Sequence, residues 1–280
     1  LYLSLSDCVN ISVLSKNNVF TTEVYEKFVA SIPEKVEGKE TIIFDLRSNT
    51  GGRHEIPAKM ITAALYYKHP ESEYRKQIED YLCNLVRVGT EELISPMNIQ
   101  LKKGWLKNSW EEQFNRLKPE DKEYYEDYWK HMMRKPIRKM RASMTYTTDF
   151  EELPEPDFKG DFYVLTNSSV ASASELALGM IFELEKKGVK VHLVGENTSG
   201  AVKYVAMMNY FLPNSGIWFY IGAEAGLSPI YDTIPNFKGE RKGFYPDVWA
   251  TNENILDTLI YLTKDESLRE TLKGLEKEVL

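Results

Sequence analysis

The chain has 280 residues, 42% of them hydrophobic, which supplies enough apolar surface for a sizeable core. Lys and Arg number 35 against 42 Asp and Glu, a formal net charge of −7, and no dense basic run stands out. Electrostatic binding of nucleic acid or of an anionic membrane is therefore not expected, and no apolar run approaches the ~20 residues of a membrane span. A peptide, protein or small-molecule partner fits this composition better.

Taken in order, Leu1 to Leu5 reads as a short strand, Val19 to Ile32 as a helix with Val24, Phe28 and Ile32 on one stripe, and Thr41 to Leu46 as a buried strand. A helix from about Ile56 to Tyr67 follows. From about Pro70 to Pro156 long charged and aromatic stretches replace the strand pattern, and this segment reads as a helical insertion. Strand and helix alternation resumes with Asp161 to Leu165, Ser172 to Lys187 and Val189 to Val194. Further strands near Val202 to Phe211 and Trp218 to Ile221 precede a helical C-terminus from about Glu253. Alternation on both sides of the insertion predicts one α/β core, residues 1–70 and 151–280, with 71–150 as a mainly helical insertion that could act as a lid.

Cys8 and Cys83 lack metal, redox or disulfide-framework spacing and are read as packed free thiols. The start at Leu1 shows no signal-peptide pattern, and the missing initiator Met suggests a processed chain or a piece of a longer one. No metal site is expected, because no His-x-x-x-His or carboxylate–histidine pair occurs at ligand spacing. No phosphate loop of the G-x-x-x-x-G-K-[ST] type is present, and no cofactor is implied.

Two segments carry chemistry. In TNSSVASASELALG a strand ends among small residues and a helix begins near Ser172, whose hydroxyl would lie by unpaired N–H groups at the positive end of the helix dipole. The same residues, Ser172 to Glu175, also form an S-x-x-E capping box, in which both side chains merely satisfy backbone amides. In TIIFDLRSNTGGRHEIP a buried strand runs into Gly51-Gly52, a pair that lets the backbone approach another group closely and expose its amides.

Together these segments resemble one family. DLRSNTGG (Asp45 to Gly52), SVASASE (Ser169 to Glu175), LVGENTSG (Leu193 to Gly200) and GFYPDV (Gly243 to Val248) match, in order, the DLRxNxGG, nucleophile, LVGExTxG and GxxPDV motifs of the tail-specific, C-terminal-processing serine proteases. The resemblance implies a ClpP/crotonase-like α/β spiral and hydrolysis of peptide bonds, often near a substrate's C-terminus. It also implies Ser172 as the nucleophile, with the Ala173 amide and that of Gly51 or Gly52 as the oxyanion hole. A periplasmic or extracellular setting accords with the family. Its frequent PDZ module has no room here, and the crotonase branch, with its acyl-CoA chemistry, lacks the DLRxNxGG and SASE pair.

The chain departs from that pattern at the base. A serine is a weak nucleophile until a neighbouring group takes its proton. Where tail-specific proteases place the lysine of a Ser/Lys dyad this chain has Ala201; Lys203 is the nearest substitute and would share its face if the segment is extended. Tricorn-type relatives use a histidine with a supporting glutamate. Glu240 in GERKGFYPD matches that glutamate, whereas the first strand offers Ser4 in place of the histidine. Among the histidines, His54 lies two residues past Gly52 and is the first candidate; His192 is expected in the core, His69 and His131 at the surface. The aromatic insertion, with Trp105, Trp110, Tyr124, Tyr125, Tyr128, Trp129 and Met132, suits either an apolar groove or simple docking on the core. A catalytically inactive peptide- or lipid-binding protein is thus the alternative to a peptidase.

Overall fold

The computed structural model describes residues 1–5, 22–70, 73–86, 90–92, 154–211, 215, 218–226 and 228–270. Two compact units divide the chain, one of Leu1–Arg87, Tyr146–Val202 and Ser228–Leu280, the other of Val88–Thr145 and Lys203–Leu227. Cys8, His131 and the seven aromatic and Met residues named from the insertion lie outside the described residues.

The first unit is built on a five-stranded sheet. Its strands are β1 (Tyr2–Ser4), β2 (Thr41–Asp45), β4 (Asp161–Thr166), β5 (Lys190–Gly195) and β8 (Val248–Trp249), in the order β1-β2-β4-β5-β8. Every neighbouring pair is parallel. Parallel strands must be covered on both faces, and the apolar runs of β2 and β4 are buried accordingly. Alternation sends Ile42, Phe44, Phe162, Val164, Val191 and Leu193 into the main core. Ile43, Tyr163, Leu165 and Val194 point the other way.

Helices α1 (Thr22–Val36), α2 (Glu55–Leu65), α3 (Glu73–Leu85) and α4 (Ala173–Glu185) contribute to the main core. The opposite face is covered by Ile255 and Leu259 of α5 (Ile255–Thr263). This is the α/β class read from the sequence. α3 falls in the stretch read as insertion but joins the first unit through Ile78 and Leu82, both fully buried. β8 escaped the sequence reading because two residues carry no periodic signal; only the pairing with Val194 and Gly195 makes them a strand.

In the second unit, β3 (Thr90–Glu92), β6 (Tyr204–Phe211) and β7 (Trp218–Gly226) form an antiparallel sheet in the order β3-β7-β6. The expected strands after Val202 are these two, β6 and β7.

A 3-10 turn at Pro229–Thr233 brings Tyr231 against Phe237 and Phe244, with ring centroids 5.3 and 6.3 Å away. Its buried hydroxyl has no hydrogen-bond partner among the described residues. A buried donor without a partner costs ~1–3 kcal/mol, so Tyr231→Phe should raise stability by about 1 kcal/mol. A urea midpoint that falls instead would show that the hydroxyl is satisfied.

Candidate active site

The carboxyl ends of parallel strands are where α/β sheets place their sites, and here the loops after β2 and β4 meet. Past β2, the Asp45 carboxylate is paired with Arg47, Nη2 to Oδ2 at 2.7 Å, and accepts the Arg47 N–H at 3.0 Å. Ser48, with φ 67°, donates its N–H to Asn167 Oδ1 at 3.1 Å; the same oxygen accepts the Ser169 N–H at 3.1 Å. Asn167 therefore stitches the β2 loop to the β4 loop. Asn49 adds a second stitch, its carbonyl accepting the Ala171 N–H at 3.2 Å.

Gly51 is where the two loops touch. A Cβ built on it would lie 2.6 Å from Ser172 Cβ, 2.7 Å from the Ala171 carbonyl oxygen and 2.9 Å from the Ala173 nitrogen. Its φ of 103° adds a second reason for glycine. The structure thus brings Gly51, Ser172 and Ala173 together. The Gly51 N–H, however, is donated to Asn49 Oδ1 at 3.0 Å.

Ser172 stands at φ 53°, ψ −121°, a conformation that L-residues rarely hold unless their surroundings impose it. It is half-buried, at the N-terminus of α4, and makes no side-chain capping bond. The capping-box reading of Ser172 and Glu175 is therefore not realised. Instead, the fully buried Glu175 turns toward residues 198–201. It accepts the Thr198 hydroxyl at 2.5 Å, the Gly200 N–H at 2.9 Å and the Ala201 N–H at 2.7 Å. Thr198 Oγ1 in turn accepts the Phe244 N–H at 2.8 Å, and the Ser199 N–H donates to the Val170 carbonyl at 3.0 Å. The helix that begins at Ser172 is thereby tied to the turn after β5.

Burial pushes the Glu175 carboxyl above its ordinary range, against the hydrogen bonds that pull it down. A raised folded-state value means that the folded chain binds this proton more tightly than the unfolded one. The stabilising contribution is then full below the ordinary value of 4.5 and is lost as pH rises through the raised one. Measured against the non-titrating Glu175→Gln, the wild type should lose relative stability across that window. Urea midpoints from pH 4 to 8 check this, and parallel curves would refute it.

The remaining candidates are spread more widely. His54 is buried at the N-cap of α2, its Nδ1 3.5 Å from Glu55 Oε2. Glu240 Oε2 accepts the Val202 N–H at 3.1 Å, beside the turn that Glu175 holds. The chain bends at Val202 and Lys203 before β6, so the strand alternation that would align Lys203 with position 201 does not apply. Lys203 opens the second unit and is described with it.

His192 lies on β5 opposite Tyr163, stacked on that ring at 4.7 Å, with Nε2 2.8 Å from Asp161 Oδ1. Asp161 begins β4, so this histidine sits toward the amino ends of the strands. His69 packs edge-on against Tyr74 at 5.1 Å. Ser4 ends β1, in register with Asp45. Gly52, at φ 135°, follows Gly51 in the same turn. Among the described residues no group of three or more His, Cys, Asp or Glu is placed to hold a metal ion, and no helix is long and apolar enough to cross a membrane.

Asn49, Asn167 and Thr198 were not singled out from the sequence, although Asn49 and Thr198 lie inside the quoted motifs. Polar residues flanking a glycine turn were the available signal, but each also has a partner far along the chain: Leu5 for Asn49, Ser48 for Asn167, and Glu175 and Phe244 for Thr198.

The sequence profile of peptidase family S41 matches residues 9–248. No curated protein matches the chain. Among solved structures it is similar to mature CPAF complexed with lactacystin, at 14% identity and a TM-score of 0.49, covering 99% of this chain and 51% of that one. It is also similar to the photosystem II D1 C-terminal processing protease, at 15% identity and a TM-score of 0.37, covering 89% of this chain and 42% of that one. The chain spans about half the length of these solved relatives. On the profile match, which runs through all four motifs, the chain belongs to peptidase family S41.

Proposed function

We propose that this chain is the catalytic core of a serine peptidase that cleaves peptide bonds through an acyl-enzyme, at or near substrate C-termini. The observation that carries the reading is the state of Ser172. It is a half-exposed serine in a strained turn at a helix N-terminus, with no capping bond, and Gly51 is packed against its Cβ. Strain of this kind persists where a fold over-determines it, and a strained strand-to-helix turn is how other hydrolase folds present a nucleophilic serine.

In this reading Ser172 Oγ attacks the substrate carbonyl carbon, and the carbonyl oxygen becomes an oxyanion held by the Ala173 N–H and the glycine pair. The proton passes to a base and then to the leaving amine, and water later releases the acyl group. His54 is the preferred base. It lies two residues past Gly52, buried at the start of α2, with Nδ1 3.5 Å from Glu55 Oε2. Lys203 is the second candidate, and Glu240 the supporting carboxylate that family likeness suggests. The substrate is a peptide or protein; the charge balance gives no reason to expect nucleic acid.

One observation favours the non-catalytic alternative, a peptide- or lipid-binding protein: no hydrogen bond to the Ser172 hydroxyl is made among the described residues. Catalytic hydrogen bonds often tighten only when substrate is bound, so the peptidase reading stands ahead. A fluorophosphonate probe separates the two. The peptidase reading expects one covalent adduct, mapped to Ser172 by mass spectrometry; a folded protein that takes no label and cuts no peptide overturns it.

A further inference from the structure

We propose that Asn49 is a positioning residue for the oxyanion hole, one that commits the Gly51 amide internally and leaves Gly52 and Ala173 as the donors to the reacting oxygen. The inference rests on the peptidase reading above.

Asn49 is fully buried, and its side chain is used at both ends. Nδ2 donates to the Leu5 carbonyl at 2.8 Å, just past β1, while Oδ1 accepts the Gly51 N–H at 3.0 Å. Its backbone does the same work locally: the Asn49 N–H donates to the Leu46 carbonyl at 3.0 Å and the Asn49 carbonyl accepts the Ala171 N–H. One residue thus joins the end of β1, the glycine turn and the loop that leads into Ser172.

The chemistry selects asparagine. Leu5 offers a carbonyl and needs a donor; Gly51 offers an N–H and needs an acceptor. A carboxamide presents one of each, an ionised carboxylate has no donor, and an alkyl side chain has neither. A buried amide with both partners met also has a single orientation, which fixes the tilt of the Asn49–Gly51 peptides.

That tilt matters because Gly51 is in contact with the nucleophile's own Cβ. Oxyanion donors act within about 2.7–3.1 Å of the developing charge, so a displacement of ~1 Å costs on the order of 10²-fold in rate. The sequence left open whether Gly51 or Gly52 supplies the glycine donor. With the Gly51 N–H bonded to Oδ1, the remaining glycine is Gly52, which is exposed and lies at a β-bridge. The Ala173 N–H, at the first position of α4, has no acceptor within its own helix and is the second donor.

The test compares wild type with Asn49→Ala on a cleaved peptide and on a peptide aldehyde, whose hemiacetal with Ser172 has a tetrahedral carbon bearing the oxygen that the oxyanion hole would hold. In folded Asn49→Ala, kcat is expected to fall about 10²-fold with KM within ~3-fold, and the aldehyde to weaken by the same factor as kcat/KM. A residue that merely stabilises the fold would lower the melting temperature and leave kcat per folded molecule unchanged, and that result overturns the assignment. Wild-type protein that neither labels nor cleaves overturns the peptidase reading together with this one, whereas an active wild type with an unaffected Asn49→Ala overturns only this one. If Asn49→Ala does not fold, hydrogen exchange in the wild type decides. The Gly51 amide is expected to exchange at least ~100-fold more slowly than an exposed amide, and unprotected exchange there overturns the proposal.

Discussion

Ser172→Ala is expected to abolish peptide cleavage, with kcat falling on the order of 10⁶-fold, while the protein stays folded. The nucleophile is the one group whose loss removes the covalent route altogether, and at ~1.4 kcal/mol per decade that corresponds to about 8 kcal/mol of transition-state stabilisation. Stability should change by less than about 1 kcal/mol. The Ser172 side chain is half-exposed and makes no capping bond, so alanine leaves no buried group unsatisfied and opens no cavity. Kinetics and a urea titration on the same preparation check both halves. If Ser172→Ala still cleaves at a rate within tenfold of wild type, the nucleophile lies elsewhere. If the wild type binds peptide or lipid tightly, cleaves nothing and is indifferent to the substitution, the binding reading takes over.

Gly51→Ala is expected to have the second largest effect, and on both properties at once. The added methyl would sit 2.6 Å from Ser172 Cβ and 2.7 and 2.9 Å from backbone atoms of Ala171 and Ala173, none of which can swing aside. The φ of 103° is unfavourable for any L-residue as well, which by itself costs ~1–3 kcal/mol. Relief requires the β2 loop and the Ser172 turn to separate, a movement of roughly 1 Å that should cost at least ~10²-fold in kcat/KM even in the folded fraction. Enzyme kinetics together with a denaturant midpoint test this. Gly38→Ala provides the comparison, since that glycine has a positive φ of 72° but open space around it and should show the backbone penalty with no loss of activity.

The buried network behind Ser172 explains why these effects should be so local. Glu175, Thr198, Gly200 and Ala201 form one connected set of hydrogen bonds closed on the far side by Phe244. Glu240 anchors the next residue, Val202. At Ala201, the position where tail-specific relatives place a lysine, the backbone N–H is donated to Glu175 Oε2. That position therefore serves as backbone scaffolding here, whichever side chain acts as base.

Much of the frame was legible in the residues themselves. The runs TIIFD and DFYVLT announced buried strands because apolar side chains on both faces have only one economical arrangement, a parallel sheet covered by helices. Likewise, the small residues before Ser172 and the Gly51-Gly52 pair pointed to a tight turn or a close approach of backbone to another group, the two uses to which glycine is suited. The ordered motifs pointed to the family, and the S41 profile covers all of them.

What pattern could not yield was the direction of each polar side chain. S-x-x-E reads equally well as a capping box, and only the packed structure turns Glu175 away from its own helix to the turn at 198–201, where three donors outweigh one local amide. The pairing of Asn49 with Leu5 spans 44 residues and its bond to Gly51 only two, and both are made at once, as a buried carboxamide requires if each of its ends is to be satisfied. By itself, then, the sequence determined the α/β alternation, the glycines and the serine; tertiary packing decided which donor each buried oxygen takes, because hydrogen-bond partners are chosen by proximity in space and not by spacing in the chain.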